Sequence, residues 1–128
     1  MPVKLDFRKN GVILWHEGVI VDADLINCQK ELMSHEFEEE FQFQLIEGTN
    51  IEEFNVSANT MQGLGSSDSE IKNVNKQYAV AVAPNDLIFG MGRIWQAFAE
   101  DELFISCLVK TFDEAISWLK ENGIEIEK

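Results

Sequence analysis

Residues 78–119 read YAVAVAPNDLIFGMGRIWQAFAEDELFISCLVKTFDEAISWL. The first apolar run ends at Pro84 and Asn85, which stop a strand and supply a helix start. A second apolar run, residues 103–109, leads into Thr111-Phe-Asp-Glu114, whose spacing fits a capping box. This alternation of strand, capped helix, strand and capped helix predicts an α/β fold.

The beginning of the chain predicts a hairpin. Residues 3–7 alternate strictly between apolar and polar side chains, and Asn10-Gly11 follows before a second apolar run. An Asn-Gly pair between two such runs is typical of a tight turn between antiparallel strands. The second strand should continue to residue 21, and we expect a β-bulge at Gly18.

The middle of the chain predicts a helix, a strand and a weakly patterned segment. Asp22 is a suitable N-cap for a helix with apolar residues at the 3.6-residue period. Residues 41–46 then alternate as a strand, which we expect residues 48–50 to end. Across residues 58–76 the apolar spacing is helical, but glycines and a serine-rich cluster oppose a continuous helix. We therefore expect a short or broken helix there.

The helix that begins after Asn85 should run to about residue 100 and carry a broad apolar face. We expect Leu87 and Trp95 to point from that face into a common interior. A last helix, starting near residue 111, should stop at Gly123, because glycine is the usual residue just beyond a helix end.

Together these elements predict a single domain with a mostly parallel sheet of four to five strands. We expect an antiparallel hairpin strand at the N-terminal end of this sheet and about four helices packed on it. If the strands are added in sequential order, right-handed crossovers place every helix on one face and leave the other open. The strand at residues 78–83 is apolar on both faces, however, and a sheet covered on both sides would explain that equally well.

Composition excludes several classes of function. The 128 residues carry a net charge of −13, and such a field repels nucleic-acid phosphates and anionic lipid surfaces. No apolar run reaches a membrane-spanning length, and the first residues lack a secretory core, so we expect a cytoplasmic protein without membrane insertion. Cys28 and Cys107 should be buried free thiols rather than a disulfide.

Residues able to perform chemistry are few. The two imidazoles, His16 and His35, have no neighbours at zinc-ligand spacing, and the short glycine pairs lack a nucleotide-binding fingerprint. No nucleophile elbow occurs, and neither cysteine has a histidine partner in sequence. We therefore expect no catalytic residue, no metal and no cofactor, and a protein that is not an enzyme.

Two features remain as candidate sites. One helix carries an apolar stripe with a single cation, and these side chains could line a ligand pocket: Phe89, Met91, Arg93, Ile94, Trp95 and Phe98. Such a stripe is also typical of a plain core. For Arg93 we favour snorkelling or pairing with a nearby carboxylate over anion binding. The other feature is Ser57, a helix N-cap whose hydroxyl a kinase could reach.

The C-terminal half resembles the bacterial SpoIIAA-like family, within the STAS and CRAL-TRIO group of α/β domains. The resemblance lies in a valine-rich strand with a Pro-x-Asp turn, Phe-Gly-x-x-Arg on a helix, and a final Glu-Ala-x-x-Trp-Leu. These motifs occupy residues 78–95 and 111–119.

The resemblance implies a regulatory function. The similar anti-sigma-factor antagonists are phosphorylated on a serine at the start of their second helix, and Ser57 falls at the corresponding place. They have an aspartate before that serine and a glycine shortly after it, where this chain has Val56 and Asn59. The resemblance therefore implies a non-enzymatic module with a protein partner and Ser57 as a phosphorylation switch.

Kinship with CRAL-TRIO domains implies an alternative, a carrier of a small apolar or lipid-like ligand. An open sheet face or a free edge strand would, in addition, favour a homodimer.

Overall fold

The structure is a computed structural model that describes residues 2–37, 40–69 and 76–126. In chain order its elements are β1 Val3–Phe7, β2 Gly11–Val21, α1 Asp22–Ser34, β3 Phe43–Asn55, α2 Ala58–Ser69, β4 Gln77–Val82, α3 Asp86–Ala99, β5 Phe104–Val109 and α4 Phe112–Glu121.

The strands form one sheet in the order β1-β2-β3-β4-β5. Only β1 is antiparallel to its neighbour, and the pairs from β2 to β5 are parallel. The predicted α/β class, with its hairpin strand and about four helices, is confirmed. The predicted bulge is also present: the register between β2 and β3 shifts at Gly18, whose φ of +71° favours glycine.

The helices cover both faces of the sheet. α1, α2 and α3 share a hydrophobic core with one face, whereas α4 packs on the other, where Phe112 stacks on Trp15 and Trp118 meets Tyr78 edge to face. The expectation that sequential strand order leaves every helix on one face is wrong for α4. The crossover rule constrains helices that connect two strands, and α4 follows the last strand, so it can fold back across the second face.

The middle of the chain is more regular than its sequence predicts. β3 does not end at residues 48–50 but continues to Asn55, because the long β2 supplies hydrogen-bonding partners along that length. α2 is a continuous helix across residues 58–69, and residues 70–75 of the predicted broken segment lie outside the described part of the chain. The N-cap of α1 is Val21 and not Asp22, which is the first helical residue.

A glycine explains why α2 is continuous. A Cβ built on Gly65 would lie 2.4 Å from the Trp95 carbonyl oxygen, so only glycine lets α2 approach α3 this closely. Tertiary contact with α3 thus offsets the low helix propensity of glycine.

Candidate functional site

A cavity of about 110 Å³ lies between the first face of the sheet and the three helices α1, α2 and α3. Its wall is mostly apolar. The main apolar contributors are Leu14 and Ile46 from the sheet, Leu25 and Leu32 from α1, Met61 and Leu64 from α2, and Ile88 and Trp95 from α3.

Small residues and one close helix contact create this space. Ala81 near the end of β4 and Ala83 just beyond it present short side chains to the cavity, and Gly92 of α3 also contributes to the wall. α2 packs against α3 at Gly65, and this contact holds α2 beside α3.

Among the residues that the structure describes, one buried carboxylate faces the cavity. Asp68 of α2 is 5% exposed, and its carboxylate accepts hydrogen bonds from Trp95 Nε1 at 2.7 Å and from Gln29 Nε2 at 3.0 Å. Burial raises the pKa of Asp68 to about 6, and the two hydrogen bonds oppose that shift. Because Gln29 lies on α1 and Trp95 on α3, this carboxylate ties the three helices together.

The other polar groups in the cavity wall are neutral at pH 7. Burial lowers the pKa of His16, whose Nδ1 lies 2.8 Å from the Leu14 carbonyl oxygen. Burial likewise raises the pKa of the Cys28 thiol to about 12, so it remains protonated and is a poor nucleophile. Gln44 donates a hydrogen bond of 2.9 Å from its side-chain amide to that of Gln77.

Of the side chains predicted to line a pocket, only Trp95 contributes to the cavity wall. Met91 and Ile94 are half-buried against the same core, and Phe89 lies beneath the Lys110 ammonium at 5.6 Å. Arg93 is exposed.

The apolar face predicted for α3 includes more residues than the structure buries. Phe98 is 45% exposed and Leu87 is 60% exposed, so the expectation that Leu87 points into the interior is wrong. These two residues are three turns apart on one side of α3, away from the sheet, whereas Trp95 is buried as expected.

Ser57 caps α2 as the sequence predicts. Its Oγ accepts a hydrogen bond from the Thr60 backbone N–H at 3.2 Å, and its own N–H donates to Asp22 Oδ1 at 2.8 Å. Ser57 is exposed, so its hydroxyl is accessible to solvent. It therefore links the starts of α1 and α2, and its phosphorylation stays a prediction.

The sequence did contain a signal for the cavity. Met61, Leu64 and Asp68 are spaced by three and four residues, which places an acidic side chain on the inner face of α2. An acid in the middle of an apolar stripe indicates a buried carboxylate, and glycines in the same segment obscured that stripe.

The remaining chemistry-bearing residues do not converge. The exposed His35 stacks on Phe7 with ring centroids 3.7 Å apart. Within residues 2–37, 40–69 and 76–126, no three His, Cys, Asp or Glu side chains group as metal ligands. Over the same ranges, no helix has the length and apolar character needed to cross a bilayer. Cys28 is a buried free thiol, as predicted, whereas Cys107 is a free thiol that is only half-buried.

Comparison with known proteins found no match to this chain among protein-family models, curated proteins or solved structures.

Proposed function

We propose that this protein is a non-enzymatic binding module that holds a small apolar molecule in the cavity beneath α2. The observation that carries the proposal is an apolar space of about 110 Å³ bounded by a sheet and three helices. Protein interiors are close-packed, and voids much larger than a water molecule are few. A ligand would recover the packing energy that the empty cavity forfeits.

The cavity volume limits the ligand. An engineered apolar cavity of about 150 Å³ in another protein binds benzene, and the present cavity is smaller. Ligands of about six heavy atoms or fewer are therefore the best fit to this space. The resemblance to CRAL-TRIO domains implies a carrier of a small apolar or lipid-like ligand. A whole lipid is larger than this cavity, so we propose only the small apolar ligand.

Replacing Ala81 with valine should fill part of the cavity and block the ligand. Ala81 lies in the cavity wall, so the added methyl groups gain burial without displacing neighbours. We expect the free energy of unfolding to rise by about 1 kcal/mol. Binding of 2-methylpentane, followed by methyl NMR shifts, should weaken at least tenfold relative to wild type.

Ala79→Val is the matched control, because Ala79 lies on the same strand and face, is fully buried and stands outside the cavity wall. There the same methyl groups overpack the core, so we expect a loss of about 1–3 kcal/mol. Equal destabilisation by both variants, or undiminished binding in Ala81→Val, would contradict the proposed site.

The second candidate function is that of a regulatory protein-interaction module in the manner of the SpoIIAA-like proteins. Its support is the exposed Ser57 hydroxyl and the hydrogen bond from Ser57 N–H to Asp22 at 2.8 Å. A phosphate on Ser57 would bring negative charge close to the Asp22 carboxylate and repel it. Phosphorylation would then loosen the start of α1 from that of α2 and change the surface offered to a protein partner.

The cap itself gives a measurable prediction. Ser57→Ala should lower the free energy of unfolding by about 1 kcal/mol, because the Thr60 N–H loses its acceptor. Ser57→Asn, which retains a capping oxygen, should have a free energy of unfolding within a few tenths of a kcal/mol of that of wild type. Urea titration of both variants measures the difference.

Phosphorylation is tested separately. Mass spectrometry of protein isolated from its own cells should find one phosphate on Ser57, and consistent absence of that phosphate would contradict the proposed switch.

We also propose a homodimer, on the basis of the two edge strands of the sheet. The second sheet face is covered by α4, so of the two routes to a homodimer that the sequence suggests, only the edge strands β1 and β5 remain. Sedimentation at high protein concentration tests for the homodimer, and a monomer under those conditions would contradict it.

The proposed location is the cytoplasm. The two free thiols suit its reducing conditions.

A further inference from the structure

We propose that the ligand of this cavity is a small aliphatic amine whose ammonium group pairs with Asp68, an inference that rests on the proposed function. Asp68 places a carboxylate in the wall of a mostly apolar space whose other polar groups are uncharged at pH 7. The combination fits a molecule with one apolar body and one positive charge.

The carboxylate has room for another hydrogen bond. Oδ1 accepts from Gln29 Nε2 and Oδ2 accepts from Trp95 Nε1, as described above. An ionised carboxylate offers about four acceptor positions, so both oxygens retain capacity for an ammonium donor. Among the residues that the structure describes, no cationic side chain forms an ion pair with Asp68.

Burial makes an incoming cation favourable. A carboxylate taken out of water without a countercharge is costly, and a paired one is much less so. An ammonium ligand would supply the countercharge while its alkyl body fills the apolar remainder of the cavity. The net charge of −13 also raises the local concentration of cations around the protein.

Within the described part of the cavity wall, an anionic ligand finds no comparable partner. The groups that face the cavity beside Asp68 are Cys28 and Gln29 on α1, Trp95 on α3, His16 on β2 and Gln44 on β3. Burial keeps the imidazole and the thiol of this set neutral at pH 7, and the others carry no charge. The described part of the cavity wall therefore selects against negative charge.

The pKa of Asp68 predicts how the amine should respond to acid. Because that pKa is about 6, the carboxylate is ionised at pH 8 and largely protonated at pH 5. Amine affinity should fall about tenfold per pH unit below the pKa, since binding then requires release of the Asp68 proton. Alkane affinity should stay nearly constant, and Asp68→Asn isolates this effect from any titration of His16.

Three ligands of matched shape test the inference: 3-methylbutylamine, 3-methylbutanol and 2-methylpentane, which differ only in the terminal group. Calorimetry and methyl NMR at pH 8 should show the amine binding wild-type protein at least tenfold more tightly than the alkane. Asp68→Asn should lose the preference for the amine, so that the amine and the alkane bind this variant with comparable affinity.

A second measurement on wild-type protein keeps the inference testable if Asp68→Asn folds poorly. Carboxyl ¹³C NMR should show the pKa of Asp68 lowered by the amine and unchanged by the alkane. Alkane binding without amine preference would overturn the ammonium pairing and leave the proposed function intact. Tightest binding of the alcohol would overturn it in favour of a neutral donor. Failure of all three ligands to bind would overturn the proposed function and this inference with it.

Discussion

Replacing Asp68 with alanine should lower the free energy of unfolding by about 2–4 kcal/mol at pH 5, the largest single effect that we expect. Trp95 Nε1 and Gln29 Nε2 both donate to this carboxyl, and alanine leaves the indole donor buried without an acceptor. Because those donors come from α3 and α1, all three helices above the cavity lose a shared contact. Urea unfolding followed by tryptophan fluorescence measures the loss.

Asp68→Asn is the control, because an amide oxygen still accepts from the Trp95 indole while the charge is removed. Burial raises the pKa of Asp68 from 3.8 to about 6, so the folded protein binds more protons than the unfolded chain between those values. The contribution of Asp68 to stability is therefore fully present below about pH 4 and is lost as pH rises through 6. The loss amounts to roughly 3 kcal/mol.

Asp68→Asn should remove this pH dependence, so its free energy of unfolding should approach or exceed that of wild type at pH 7. Other carboxyl groups titrate alike in both proteins, and the difference between the two curves isolates Asp68. Parallel curves from pH 4 to pH 7 would contradict the buried, raised-pKa carboxyl.

Replacing Gly65 with alanine should destabilise the protein by about 2 kcal/mol. The new Cβ would stand 2.4 Å from the Trp95 carbonyl oxygen and 2.8 Å from Phe98 Cβ, so α2 and α3 must separate. That cost exceeds the gain of about 1 kcal/mol that alanine brings to a helix interior.

Gly63→Ala is the matched control on the same helix, since a Cβ there meets no atom within 4 Å. It should stabilise by about 0.5–1 kcal/mol, because only the helix propensity changes. The sign of the effect thus reverses between two glycines two residues apart. Chemical denaturation of both variants tests this, and stabilisation by Gly65→Ala would contradict the close packing of α2 on α3.

The elements with local signals could be predicted from the sequence. Asn85 and Thr111 cap α3 and α4 through their side chains, and Gly123 ends α4 with a φ of +79°. Each of these features depends on a few neighbouring residues. The continuity of α2 depends instead on contact with α3 at Gly65, and the length of β3 depends on β2, so neither could be inferred from local spacing.

The candidate site was predictable only in part. Trp95 lines the cavity, whereas Phe98, Phe89 and Arg93 lie outside its wall, because the periodicity of α3 shows its apolar side without showing which neighbours cover it. Asp68 was missed because its importance comes from partners on two other helices. A single sequence does not reveal which of its 23 acidic residues is buried.

A crystal structure of the wild-type protein under xenon pressure tests the central claim most directly, since xenon occupies apolar cavities of this size. The account predicts a bound xenon atom between α2 and the sheet, close to Leu64, Ala81 and Ile88. A structure in which α2 has closed onto the sheet, with no xenon bound there, would contradict it.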